Sequence, residues 1–413
     1  MTDNKAVGLA CLVVTAFVFV IKTMENNMEA YLDNSATTRC LDSVIEIVEK
    51  TMREDYGNPS SKHQKGLDAE NYVRTARTEI AQTLKVQDKE IFFTSGGTES
   101  NNWALIGSAL ANRRAGNHLI TTAVEHAAVL QPMGFLEEMG FRITYLPVDN
   151  RGVADLKALE EAICEDTILV SMMYVNNELG TEEPVEEAAR IIKEKNPNIL
   201  FHVDAIQAYG KYRIHPKKQG IDLLSVSGHK IHGPKGSGFL YVNEKAKIRP
   251  IILGGGQQKG MRSGTDNVPG IAGLGVAAKE VYRDLDEKVA HLQALKQQLI
   301  DGLMDIPDVF IQGQASEGGG APHIVSVSFA DVRSEVLLHA LEDRQIYISS
   351  GSACSSNKKL PVSTVLKEAH VPKKLLESTV RFSFSSQTTA EEVDYCIEEL
   401  HRIVPMLRKY TRH

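Results

Sequence analysis

No metal-ligand spacing, internal repeat, low-complexity segment or long basic run occurs in this 413-residue chain. Its five cysteines are odd in number and irregularly spaced, which argues against a disulfide framework and fits a reducing compartment with a working thiol. His229 and His232 stand three residues apart with no second Cys or His pair, a poor metal site, so no metal is expected. The net charge of −7 without a basic run argues against direct binding of nucleic acid. The uncharged apolar run from Ala6 to Ile21, between Lys5 and Lys22, falls short of the ~20 residues that span a bilayer comfortably. A cleaved export signal fits it poorly, because the leading charge is weak and no Ala-x-Ala-like site follows Ile21. A weak N-terminal membrane anchor at residues 6–21, or a true translation start at Met24 or Met28, remain the readings, with a cytoplasmic enzyme behind either.

Strand-like runs near residues 91–94, 118–124, 141–148, 167–175, 199–204, 221–227 and 238–242 alternate with helical stretches such as Val73–Leu84, Ala127–Met139 and Pro184–Lys195. That alternation predicts an α/β fold, a mostly parallel sheet covered by helices on both faces. Ligands of such sheets gather outside the carboxyl ends of the strands, and five polar motifs fall at expected strand ends. Ser227-Gly228-His229-Lys230 follows the apolar run Ile221 to Val226, and a lysine there, beside a hydroxyl, a glycine and an imidazole, has the make-up of a Schiff-base lysine next to a phosphate site. Taken alone, those four residues read equally well as an ordinary strand-to-loop turn. Asp204 and Gln207 close the preceding strand, where a carboxylate would keep a pyridinium nitrogen protonated. Ser95-Gly96-Gly97-Thr98 leads from a strand into a helix start, an anion cradle that lacks the Gly-Lys-Ser/Thr ending of a nucleotide loop. Glu125-His126 and Asn176-Asn177-Glu178 supply an imidazole that can stack on a cofactor ring and an amide that can hydrogen-bond near it. Pyridoxal 5'-phosphate is the cofactor these groups point to.

Longer stretches carry a family resemblance: Tyr31-Leu32-Asp33-Asn34-Ser35-Ala36-Thr37-Thr38, Tyr56-Gly57-Asn58-Pro59-Ser60-Ser61, Gly97-Thr98-Glu99-Ser100 and Val175-Asn176-Asn177-Glu178-Leu179-Gly180. They continue with His202-Val203-Asp204-Ala205, Ser227 to Gly236, Arg262-Ser263-Gly264-Thr265, Ser349-Ser350-Gly351-Ser352-Ala353-Cys354 and Arg381-Phe382-Ser383. From Met28 nearly to the C-terminus the chain resembles the cysteine desulfurases of the NifS/IscS group, fold-type I enzymes of the class V aminotransferase-like superfamily. The resemblance implies that Lys230 holds pyridoxal 5'-phosphate, Asp204 pairs with its ring nitrogen and His126 stacks on the ring. Asn177 and Gln207 would contact the ring and its oxygen, and Gly97, Thr98, Ser227 and His229 the phosphate. Thr265 would reach the phosphate of a neighbouring subunit, so a homodimer is implied. Asn34, Asn177 and Arg381 would bind substrate, with the arginine gripping its carboxylate, a bidentate task that suits guanidinium. Cys354, in a small, polar, glycine-containing stretch, would take the sulfur of L-cysteine as a persulfide, leaving L-alanine. Cys164 and Cys396, in helical contexts with apolar neighbours, read instead as buried structural cysteines.

The implied division is a large cofactor-binding domain over 41–285, a smaller domain from 28–40 and 286–413 that carries the cysteine stretch, and an N-terminal extension over 1–27. Val268 to about Met304 reads as one long helix between the domains. Implied partners are a sulfur acceptor, either an iron–sulfur scaffold or a tRNA-thiolation enzyme, and a transient iron–sulfur cluster contact at Cys354. The tail ending at His413 lacks the extension with which housekeeping members dock scaffolds. Two alternatives are a selenocysteine lyase or other β-eliminating enzyme, which needs no sulfur-accepting cysteine, and a catalytically idle delivery module, which predicts substitutions at the cofactor contacts.

Overall fold

In the computed structural model the described residues are 28–350 and 363–410. The expectations for residues 1–27 and for Cys354 therefore lie outside them. No described helix is long and apolar enough to cross a membrane.

Seven strands form the main sheet: β2 (Ile91–Thr94), β3 (His118–Thr122), β4 (Arg142–Leu146), β5 (Thr167–Met173), β6 (Leu200–Asp204), β7 (Leu223–Ser227) and β8 (Gly238–Val242), in the order β2-β8-β7-β6-β5-β3-β4. Only β8 runs antiparallel to its neighbours. The residues of β3, β5, β6, β7 and β8 are buried throughout, because helices cover both faces and leave no solvent side on which to alternate polar groups. One apolar cluster holds Val203, Leu224 and Phe239 with Val73, Ile80 and Leu274; another, on the opposite face, holds Leu223 and Leu240 with Trp103 and Val129.

A second sheet, in the order β12-β13-β10-β9, joins β9 (Val309–Gln312), β10 (Ile324–Phe329), β12 (Ser349–Ser350) and β13 (Thr379–Ser383), all antiparallel. Helices Leu285–Leu303 and Ala390–Tyr410 pack on it around Val325, Val327, Phe382 and Leu400. The chain start joins here. β1 (Ala30–Tyr31) pairs in parallel with β11 (Ile346–Tyr347), and Asp33 bridges to Ser383.

Two expectations need correction. The helix read from Val268 to Met304 is two helices, Val268–Tyr282 and Leu285–Leu303, because Asp284 takes a left-handed backbone (φ 51°) and starts the second. Cys164 is exposed rather than buried, since it follows the helix Leu156–Ala162 at the edge where β5 begins. Its Sγ accepts from Nη2 of Arg142 at 3.1 Å. Cys396 is fully buried, and burial pushes its thiol well up.

Candidate active site

The carboxyl ends of β2, β3, β5, β6 and β7 converge on a cavity of about 310 Å³, within the size range of small-molecule sites. Gly97, Thr98, His126, Asn177, Asp204, Gln207, Ser227, His229, Lys230 and Arg381 all line it. Ten of the residues read from the sequence, spread over 285 positions, thus share one space. Asn34 does not line it: its amide donates to the carbonyls of Tyr31 (2.9 Å) and Ser383 (3.1 Å), and the residue borders a second cavity behind Lys230. Thr265 lies exposed outside it.

Asp204 ends β6 beneath the cavity floor and is 5% exposed. One of its oxygens accepts from the Ile206 backbone amide (3.0 Å) and the other from Nδ2 of Asn101 (2.7 Å). Burial raises its pKa, against the pull of those hydrogen bonds and of His126 and Lys230. Glu125 lies behind it, fully buried. One oxygen accepts from Thr122 (2.9 Å) and Met173 N (2.7 Å), while the other has no partner. Burial, then the neighbouring Asp204, push Glu125 well above the usual carboxylate range, which leaves Asp204 the more readily ionised of the two.

His126 caps the helix Ala127–Glu138, its Nδ1 accepting from Ala128 N at 3.0 Å. That bond leaves the proton of the neutral ring on Nε2. Gly96 takes a backbone at φ 147° that side chains rarely adopt, and a Cβ on Gly97 would come within 2.2 Å of Ile206. Glycine there lets the amides at the start of the helix Gly97–Asn102 face the cavity.

Lys230 follows β7 in a single 3₁₀ turn, and its ammonium donates to the carbonyls of Ser35 and, at 2.7 Å, Ala36. Gln207 donates to the same Ser35 carbonyl at 3.0 Å. His229 is driven down to about 4 by burial and by Lys230 and Lys235, so its ring is neutral. Arg381, 6% exposed on β13, donates from Nη1 to the Asn177 carbonyl (2.7 Å) and from Nη2 to Asp33 (2.7 Å), while its Nε has no partner. Sequence reading did not assign Asp33, Asn101 or the Ser35 and Ala36 carbonyls. Asn101 was within reach, one helical turn after Gly97, where it faces the same side.

The donor set suits pyridoxal 5'-phosphate. A buried carboxylate on the cavity floor fits a pyridinium, a glycine turn that opens a helix fits a phosphate, and a lysine at hydrogen-bonding distance from loop carbonyls lines the same cavity. The sequence pattern of the aminotransferase class-V family matches residues 30–396. The chain belongs to that family. Class-V enzymes of this kind depend on pyridoxal 5'-phosphate. Among similar proteins, "Cysteine desulfurase IscS" of Methanosarcina thermophila is 43% identical over 93% of this chain and 94% of its own length. Its counterpart of the same name in Dictyoglomus turgidum is 42% identical over 92% and 95%. A solved structure titled "NIFS-LIKE PROTEIN" superposes with a TM-score of 0.86 at 41% identity, over 92% of this chain and all of its own.

Proposed function

We propose that the protein is a cysteine desulfurase, which uses pyridoxal 5'-phosphate to move the sulfur of L-cysteine onto Cys354 and releases L-alanine. The observation that carries this reading is the single cavity shared by Lys230, Asp204, His126, the Gly97-Thr98 cradle and Arg381. Bound there, the cofactor supplies an aldehyde that Lys230 can engage and an electron sink that acidifies the proton on the substrate Cα. Asp204 holds the proton of the ring nitrogen, with Glu125, the less readily ionised of the two, behind it. Arg381 grips the substrate carboxylate, for which its unpartnered Nε is available. Once its amine is free, Lys230 removes the Cα proton.

Cys354 then attacks the substrate sulfur. An S–S bond forms, the C–S bond breaks, and its electron pair, with a proton, ends in alanine. Cysteine plus a thiol therefore become alanine plus a persulfide, with no outside oxidant. Chain length supports this assignment. Ser349 lines the cavity, β12 pairs with Arg381 and Val380, and Cys354 follows Ser350 by four residues, a tether of at most about 14 Å.

The active unit in this reading is a homodimer. Thr265 lies on an exposed loop that Arg262 clamps to the phosphate turn through two bonds to Glu99 (2.8 and 3.1 Å), and is offered to the second subunit's phosphate. The persulfide passes to an acceptor protein in a reducing, cytoplasmic setting, for iron–sulfur assembly or another thiolation.

The test is incubation of the yellow holoenzyme with L-cysteine, followed by alanine assay and intact mass. One added sulfur and an equivalent of alanine are expected for wild type. Cys354→Ala should keep the cofactor's absorbance and gain no sulfur. Release of sulfide by Cys354→Ala at the wild-type rate, without added reductant, would defeat the persulfide role.

A further inference from the structure

Behind Lys230, on the side away from the cofactor cradle, lies a second cavity of about 30 Å³. Five cationic or imidazole side chains line it, Lys211, Lys230, Lys288, His232 and His323, and no acidic one does. Such a volume holds one or two waters, or a single ion of halide size; phosphate and amino acids are too large.

Lys211 is half-buried, and its ammonium donates to the Lys230 carbonyl at 2.9 Å, its one acceptor among the described residues. His323 is 1% exposed. Its Nε2 donates to Oε1 of Gln207 at 3.4 Å, because that amide's nitrogen is already committed to Ser35, and its Nδ1 has no partner. The surrounding charges reinforce one another: His323 feels the positive fields of Lys211, Lys296, Arg381 and Lys230. Acids act only at the far end, where Glu280 and Asp284 face Lys288 and the carbonyls of Glu280 (2.5 Å) and Arg283 (2.7 Å) hold its ammonium. Burial first, then these like charges, bring Lys211 down to about 7 and push His323 well below its usual value; burial takes His232 to about 4, against its bond to the Arg39 carbonyl. A buried cation without a counter-charge either sheds its proton or takes up an anion.

We propose that this cavity binds one small monovalent anion of halide size, held between Lys211 and His323 directly behind the cofactor lysine and taken up together with a proton. The anion reverses the sign of the local field, so Lys211 and the Nδ1 of His323 become hydrogen-bond donors to it. The inference stands independently of the sulfur chemistry assigned to the front cavity.

Bromide is the probe. Crystals of the holoenzyme grown with bromide in place of chloride should show an anomalous peak between Nζ of Lys211 and Nδ1 of His323. Density there without anomalous signal, the mark of water, overturns the proposal. In solution, bromide exchanged for gluconate at constant ionic strength should raise the thermal midpoint by about 2 °C at tenfold saturation, more at pH 6 than at pH 9. Lys211→Met should abolish that rise. An equal rise in wild type and Lys211→Met overturns the site, and if Lys211→Met fails to fold, Lys211→Gln and the diffraction result decide.

Discussion

Two cavities meet at Lys230, and they differ in charge balance. The front one sets Asp204 and Asp33 against Lys230 and Arg381; the rear one has cations and imidazoles alone. The difference teaches that the counter-charge decides what each space can hold. A ring cation and a zwitterionic amino acid suit the balanced front, where every added charge meets its opposite. The rear suits only an anion.

The harshest way to break the comparison is to remove the residue both cavities share. Lys230→Ala should lower desulfurase turnover by at least ~10³-fold, because the attachment point and the proton-abstracting amine disappear together. Alanine formation under single-turnover conditions measures it. Full activity in that variant would leave the front cavity without its reaction.

Arg381→Lys keeps the charge and removes the fork. The compact ammonium lacks the planar fork that reaches Asn177, Asp33 and a carboxylate in fixed directions, so KM for cysteine should rise roughly 10²-fold, with kcat falling less. A change confined to kcat would detach Arg381 from substrate binding.

A smaller effect separates the front cavity from the wall that supports it. Ser363 begins the helix Thr364–Glu368, its hydroxyl accepting from Leu366 N (3.1 Å) and donating to Glu178 at 2.5 Å. Val365 and Leu366 pack on Leu179 beside it. Glu178→Ala should therefore slow persulfide formation about three- to tenfold with KM unchanged, and Glu178→Gln, which still accepts from Ser363, should restore it. Equal rates in the Ala and Gln variants would count against this bond as a positioning contact.

Much of this arrangement was legible in the sequence because strands and helices alternate cleanly and the chemistry falls at strand ends. The Asp204, His126, Ser227 and Lys230 positions follow from that rule once the order of the parallel strands is imagined. What the sequence hid was long-range pairing. Asp33 reaches Arg381 across nearly the whole chain, and Ser35 receives both Gln207 and Lys230, contacts made only when β13 and the chain start come together. Local periodicity was equally silent on the break at Asp284, since apolar spacing continues through it on both sides. Cys164 misled for a related reason: its apolar neighbours belong to the helix before it and the strand after it, while the residue itself is exposed in the turn that leads into β5.

Buried acids sharpen the contrast by their effect on stability. Asp204→Asn should weaken cofactor retention yet stabilise the cofactor-free protein increasingly as pH rises above the unfolded carboxyl's value. A carboxylate whose folded pKa is raised imposes no cost below its unfolded value near 4, and a growing one as pH climbs through the folded value. The same argument applies away from both cavities. Glu183 has one oxygen accepting from Ala154 N at 2.9 Å and the other unpartnered, and burial pushes it up to about 8. Its folded form keeps a proton that the unfolded chain has lost between about pH 4.5 and 8, so stability falls as pH rises through that window. Glu183→Gln should therefore gain ~1–2 kcal/mol at pH 9, the transfer cost of the ion less that of an imperfectly paired amide, and nothing at pH 4. Thermal midpoints at the two pH values measure the difference. A gain of equal size at both would mean that the substitution acts through packing, leaving charge burial at Asp204 as a peculiarity of the cofactor site.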